Sequence, residues 1–509
     1  MGIAVSPVTS CLEVTARWVA PCVILLLLLL NLFIQLFCYN REDRPYEENV
    51  LPVYLLTKIA GKGFEHPSLI TATVLEQLPW DSCNGVAVLL TLRIIHISLF
   101  FCGFLAIYLS LPSCFFRSKT ESNASVILLL LAVCVSPIAV DICRVSSSSL
   151  IVVGIGIYSL SFRCDYLSAR CILSSSATLI CVCEHIYGLL VVTSCSISLL
   201  LLLLLAGRVT HALLVFASCA LTAIGVYLLN EGDLNDIASN LYNHYWAICY
   251  PNGIEGSLLP FLAVWKTIGI LGSPMPSQTV ASALSLPAAV LCIITWRHAP
   301  VLSFLSSIYV CSHLLLLALQ HFVGECVFVP HWARIFGFLG VCPFLSLIVY
   351  CPAKYLVRPA FFLLLTVLLI PLYREAFQFR DREQISQLRH KLAKIDSKDK
   401  HLPLIFFGSR AYFTVAPYLD QHEIMSFAIV SCNRITCDKF RPAELMKKNT
   451  FGHVDEALRE ITANRAIVIS TQAQKLFPDI GSAFIEETVS VATPCYSVGV
   501  ISAQRVLLP

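Results

Sequence analysis

Long apolar runs govern what this chain can become. Trp18 to Phe37 is almost uninterrupted apolar sequence. About 20 such residues cross a bilayer as a helix, the element that satisfies every backbone polar group within its own segment. The pattern recurs along most of the chain. Candidate spans are 18–38, 86–112, 124–142, 148–162, 171–191, 192–207, 210–229, 279–296, 300–322, 334–351 and 355–372. Composition agrees, since only 13% of residues are charged against about 25% in soluble domains. The expected fold is an α-helical polytopic membrane protein of about 11–13 transmembrane helices. Segments 148–162 and 192–207 are short, and the boundary between spans near Gly188 is open. Segment 257–272 contains Lys266, is broken by Pro260 and runs into Pro274 and Pro276, so it reads as interfacial or re-entrant. No small-x-small site follows the first span, which reads as a retained anchor helix.

Other compositional signals narrow the function. A net charge of +3 without a recognisable binding motif gives no sign of a nucleic-acid partner. Most of the 23 cysteines lie inside apolar runs, as do Cys102, Cys134, Cys181, Cys183, Cys219 and Cys311, and behave there as small hydrophobes. No CxxC pair or zinc spacing appears. Cys432 and Cys437 are close enough in sequence for pairing to stay open.

Loop charge orients the spans. Arg117, Lys119, Arg163, Arg170, Arg208, Arg297, Lys354 and Arg358 fall on one face if spans alternate and 257–272 does not cross. That face is expected to be cytoplasmic, which puts 39–85, 230–278 and 323–333 outside, together with the C-terminal region. Eight Lys/Arg in 374–400 oppose this assignment, although five acids are interleaved with them.

The membrane region is expected to end near 372, and a helical pattern over 373–400 leads into residues 401–509. There Leu402–Ser409 reads as strand then turn, Ser426–Val430 and Ala466–Ser470 as strands, Val454–Ile461 as a short helix and Cys495–Val500 as a strand. Strands alternating with helices predict a small α/β domain. It carries no glycine-rich phosphate loop and no nucleophile elbow.

Chemistry concentrates in three places. The first is Glu42-Asp43-Arg44-Pro45-Tyr46-Glu47-Glu48, directly after the first span. Carboxylates sharing a site raise one another's pKa, so one could take a proton from an acceptor hydroxyl or amine. The bland alternative is a solvated loop. The second is Glu184-His185, inside candidate span 171–191. Intramembrane ionisable residues default to function, unless the helix ends near Cys183. The third is the aromatic loop 230–278 with Tyr242, His244, Tyr245, Trp246 and Tyr250, where Trp and Tyr also suit a plain membrane-interface belt. Asp233 and Asp236 are too weak a pair to predict a metal, and no cofactor is expected.

The acidic pair Glu42-Asp43 followed by Tyr46-Glu47-Glu48 resembles the GT-C class of membrane glycosyltransferases, in particular the protein O-mannosyltransferase and lipid A aminoarabinose transferase group. That group opens its first outer loop with an acidic pair, usually Asp-Glu rather than Glu-Asp, and follows it with Tyr-x-Glu. Leu78-Pro79-Trp80 before the second span and Ser136-Pro137 before Asp141 and Arg144 are also similar. The acidic residue the group places a few positions later is missing, with Ser146–Ser149 in its place. A mid-chain outer loop with aromatics and a C-terminal α/β domain match the group's layout.

The resemblance implies a sugar donor on a polyprenyl phosphate, a lipid, glycan or protein acceptor, the bilayer as surroundings, and inverting transfer. Asp43 is the expected general base, with Glu42 or Glu48 as second choices. Tyr46, Arg144, Lys266, His331, Arg334 and Trp246 are the expected substrate-binding residues, the cations holding phosphate oxygens; His321 is a further candidate at the same face. A bacterial inner membrane is favoured, with the endoplasmic reticulum as alternative. Two rivals are a transporter or flippase with Glu184 as coupling residue, and a non-catalytic assembly subunit.

Overall fold

In the computed structural model the described residues are 85–110, 146–184, 186–229, 300–323, 402–407, 427–430, 450–451, 454–460, 465–471, 484–489 and 496–502, with 77, 289–290, 293–294 and 296. They divide into a helical unit, which holds Ile95–Ser110 and the long helices within 146–229 and 300–323, and a sheet unit, which holds all the described strands together with Gly85–Ile94.

Six long helices are described: α1 (Gly85–Ser110), α2 (Ser146–Arg163), α3 (Leu167–Glu184), α4 (Ile186–Leu205), α5 (Val209–Leu229) and α6 (Pro300–Val323). Four of them, α1, α3, α4 and α5, are long and apolar enough to cross a membrane. Shorter apolar stretches lie in α2 and α6. Of the other expected spans, 18–38, 124–142, 334–351 and 355–372 lie outside the described residues, as do the 257–272 segment and the helix over 373–400.

One expected boundary is corrected. Spans 171–191 and 192–207 are in fact α3 and α4, and the break falls at position 185. An apolar run marks no internal break by itself; packing sets it here. A Cβ on Gly188 would run into the backbone carbonyl of Cys181, so only glycine lets α4 fold back this closely on α3. At the other end, α4 closes on Ala206-Gly207. Gly207 is left-handed (φ 72°), its amide reaches the Leu204 carbonyl at 2.9 Å, and the Arg208 amide reaches Leu203 at 2.9 Å. This is a Schellman stop, which requires the φ that glycine adopts at no steric cost.

Small residues bring helices together. A Cβ on Gly103 would sit 2.6 Å from the Val152 backbone, and one on Gly156 would strike the Gly103 carbonyl and Ala106. Thus α1 and the middle of α2 meet backbone to backbone. Phe162 stacks on Phe304 with centroids 5.3 Å apart, joining the end of α2 to the start of α6. Further along α6, Ser312 donates to Ser194 of α4 at 2.8 Å. These contacts make α6 antiparallel to α4. The C-termini of α2 and α4 and the N-termini of α3, α5 and α6 therefore share one end, which carries Arg163, Arg170 and Arg208. We call it the basic end.

The sheet unit has strands β1 (Leu404–Phe407), β2 (Phe427–Val430), β3 (Thr450–Phe451), β4 (Arg465–Thr471), β5 (Phe484–Val489) and β6 (Tyr496–Ser502), with helix α7 (Val454–Glu460) before β4. Their order is β3-β2-β1-β4-β6-β5. The first four are parallel, while β6 runs antiparallel to both neighbours. Leu404–Phe406 and Ala466–Ile469 are buried without alternation, as expected of parallel strands covered on both faces. Ala457 and Leu458 of α7 are buried in turn. The sequence reading located β1, β2, β4, β6 and α7 and missed β3 and β5.

Candidate functional site

The polar residues that the described structure brings together lie along α3. One face of this helix carries Arg170, Ser174, Thr178 and Cys181, all buried, and the helix ends at the buried Glu184. Spacings of four place the first three on one line. From Arg170 to Glu184 the helix rises roughly 21 Å.

Arg170 was expected to bracket a loop. It is instead in the first turn of α3, with 1% of its surface exposed. Its guanidinium reaches back over the end of α2. Nε donates to the Ser161 carbonyl at 3.2 Å, Nη2 donates to the Phe162 carbonyl at 3.3 Å, and Nη2 also donates to the Cys164 carbonyl. Nη1 meets Nδ1 of His211 on α5 at 3.1 Å. A helix leaves its last carbonyls unpaired, and a cation there is favoured by the helix dipole. Arg170 thus joins α2, α3 and α5 with a single side chain. Arg donates only, so His211 Nδ1 is the acceptor in this pair.

Hydroxyls continue from this clamp. Ser161 Oγ donates to the Arg170 carbonyl at 3.1 Å and lies 2.5 Å from Ser174 Oγ. Thr178 Oγ1 bonds the Ser174 carbonyl at 2.9 Å and lies 2.5 Å from the hydroxyl of Tyr158. Tyr158, fully buried, also donates to Cys219 Sγ at 3.8 Å. On the neighbouring line, Ser175 of α3 bonds Ser218 of α5. Hydroxyl pairs of this kind join membrane helices at about 0.6 kcal/mol each.

The network is not a continuous proton wire. Ser174 and Thr178 connect through a backbone carbonyl rather than between hydroxyls. The guanidinium closing one end cannot give up its proton and repels incoming cations. The arrangement is suited to fixing three helices in register.

Glu184 was read as inside a span or, if the helix ends near Cys183, at a span boundary. The second holds: it is the last residue of α3, wholly buried, at the end of the unit opposite the basic end. His185 lies outside the described residues. So do Glu42, Asp43, Tyr46, Glu48, Arg144, Trp246, Lys266, His331 and Arg334, together with Asp233 and Asp236, and Cys432 and Cys437. His321 falls in the last turn of α6. Among the described residues no three of His, Cys, Asp or Glu form a group that could hold a metal.

Outside the network, Arg163 Nη1 donates to the Leu109 carbonyl at the end of α1. Arg208 pairs with Asp165 through both terminal nitrogens, at 3.1 and 3.2 Å. No protein-family model matches this chain, and no curated protein matches it.

Proposed function

We propose that this chain is a polytopic membrane glycosyltransferase of GT-C type. It moves a sugar from a polyprenyl-phosphate donor to a lipid, glycan or protein acceptor outside the cytoplasm. The observation that carries the reading is the acidic cluster Glu42-Asp43 and Tyr46-Glu47-Glu48 directly after the first apolar run. Apolar helices in the membrane region and a mixed α/β sheet after them support it by layout. Three arginines at one end of the helical unit support a cytoplasmic assignment for that end. Glu184 is then on the extracytoplasmic side.

In this mechanism the donor carbon sits at the membrane–water boundary. Asp43, or Glu42 or Glu48, removes the proton of the acceptor oxygen or nitrogen as it attacks in line. The anomeric centre inverts, and polyprenyl phosphate leaves. Arg144 and Lys266 hold the phosphate, with His331 and Arg334 beside it, and Tyr46 and Trp246 present aromatic faces to the sugar. Each cation stabilises charge that grows only in the transition state.

The test is transfer by the reconstituted full chain from a polyprenyl-phosphate sugar. Asp43→Asn is expected to lose at least about 100-fold in turnover, the low end of general-base contributions, with normal membrane insertion. Near-wild-type turnover by that variant removes the assignment.

A second reading, transport or lipid flipping coupled through Glu184, is favoured by the complete burial of that carboxylate. The Arg170 plug at the other end of the same helix face speaks against a cation path there. Loss of activity in Glu184→Gln with Asp43→Asn unaffected would reverse the preference.

A further inference from the structure

We propose that the basic end of the helical unit binds the headgroup of an anionic phospholipid, with Arg208 as the phosphate ligand. Three arginines stand at this end, and among its described residues only Asp165 opposes them. Arg208 spends both terminal nitrogens on one carboxylate oxygen, Asp165 Oδ1. The pair is open to solvent, with side chains 45% and 81% exposed, and such pairs contribute little by themselves. A planar guanidinium offers five donors, so its remaining N–H groups can take the oxygens of a phosphate diester while Asp165 stays in contact.

The surroundings favour a lipid over a small anion. Tyr166, 80% exposed, lies next to Asp165; an amphipathic ring with a polar tip suits the headgroup level. Directly below Arg208, α5 presents Val209, Leu213, Leu221, Ile224 and Leu228, all exposed. Apart from Val209, which leads into it, this is one stripe along the helix. The opposite face, with Ala212, Val215 and Cys219, is buried. A cation at the head of an apolar ridge on a membrane-crossing helix has the shape of an amphiphile's complement. A free phosphate would use the head alone, and the ridge would be irrelevant to its binding. Arg163 and the buried Arg170 add positive potential at the same end.

The experiment uses the purified full chain in neutral detergent micelles, titrated with phosphatidylglycerol, phosphatidylcholine or inorganic phosphate, and reads the thermal unfolding midpoint. Phosphatidylglycerol is expected to stabilise more than phosphatidylcholine at equal mole fraction. Added salt should shrink the difference. Arg208→Gln should weaken the apparent affinity for phosphatidylglycerol about five-fold and leave the response to phosphatidylcholine unchanged. Asp165→Asn should strengthen it, because the competing carboxylate is gone. Equal stabilisation by the two lipids overturns the proposal. So does an Arg208→Gln response equal to wild type, or the same stabilisation by inorganic phosphate, which would indicate a free-anion site. If Arg208→Gln does not fold, Arg208→Lys must keep the lipid preference and Asp165→Asn must raise it; failure of either also overturns the proposal.

Discussion

Replacing Arg170 with leucine probes the clamp directly. The substitution removes donors from the carbonyls of Ser161, Phe162 and Cys164 and from His211. Ser161 O keeps a second donor, the Cys164 amide at 3.1 Å. Two carbonyls are therefore orphaned at the end of α2, each costing about 1–3 kcal/mol if it stays dry. Removing a buried cation offsets part of this, because desolvating a charge is itself unfavourable. Water can also reach the half-exposed Cys164. The balance is a loss of about 2–3 kcal/mol. The assay is the midpoint of loss of helicity as denaturing detergent is titrated into protein held in mild micelles. Arg170→Lys keeps the charge without the planar fork and should recover only part of the loss. A wild-type midpoint for Arg170→Leu would refute the clamp, and full recovery by lysine would show that charge alone matters.

Four further outcomes are expected. Tyr158→Phe and Thr178→Val, measured singly and together by the same titration, should show a coupling of about 0.6 kcal/mol and no more than about 1.7; additive effects would mean that the 2.5 Å contact does not stabilise. Gly103→Leu should disrupt the α1–α2 contact, since even a Cβ would lie 2.6 Å from the Val152 backbone, whereas Gly225→Ala meets nothing within 4 Å and should stabilise α5 by up to about 1 kcal/mol. Crosslinking between cysteines placed in α1 and α2 of a cysteine-depleted chain would check the first of these. Glu184→Gln should leave sugar transfer within about three-fold of wild type, since the proposed chemistry does not use it; loss comparable to that of Asp43→Asn would refute that separation.

The long helices were legible because length and apolarity alone mark them. Runs 86–112, 148–162, 210–229 and 300–322 became α1, α2, α5 and α6 within a few residues, and of these α1 and α5 are long and apolar enough to cross a membrane. The α3/α4 break was half legible: Glu184-His185 marked a possible helix end near Cys183, but the apolar residues on either side left its place open, and the fold-back depends on how closely Gly188 meets Cys181. Strand β3 is two residues long, and β5 carries Glu486-Glu487 with a bulge, so neither shows a hydrophobic signature. The clamp was hidden for another reason. Three of Arg170's four acceptors are backbone carbonyls, which leave no mark in a sequence. The stepping of Arg170, Ser174 and Thr178 by four was a visible signal, once α3 is taken to begin before Arg170.

The strand order bears on how the sheet is made. Strand β1 pairs Leu404 with Ile467 of β4, and β4 pairs Arg465 with Ser502 of β6. Each partner of β4 is thus distant in sequence, while the helical hairpins α2–α3 and α4–α5 join nearest neighbours. Contacts between distant positions form slowly. A growing chain can fold its hairpins as they emerge, but β4 must wait for β6 to be synthesised. Until then β4 exposes the unpaired edge of Ala466–Ile469, an apolar template for another chain. Ribosome stalling between β4 and β6 would leave this protein at its most aggregation-prone.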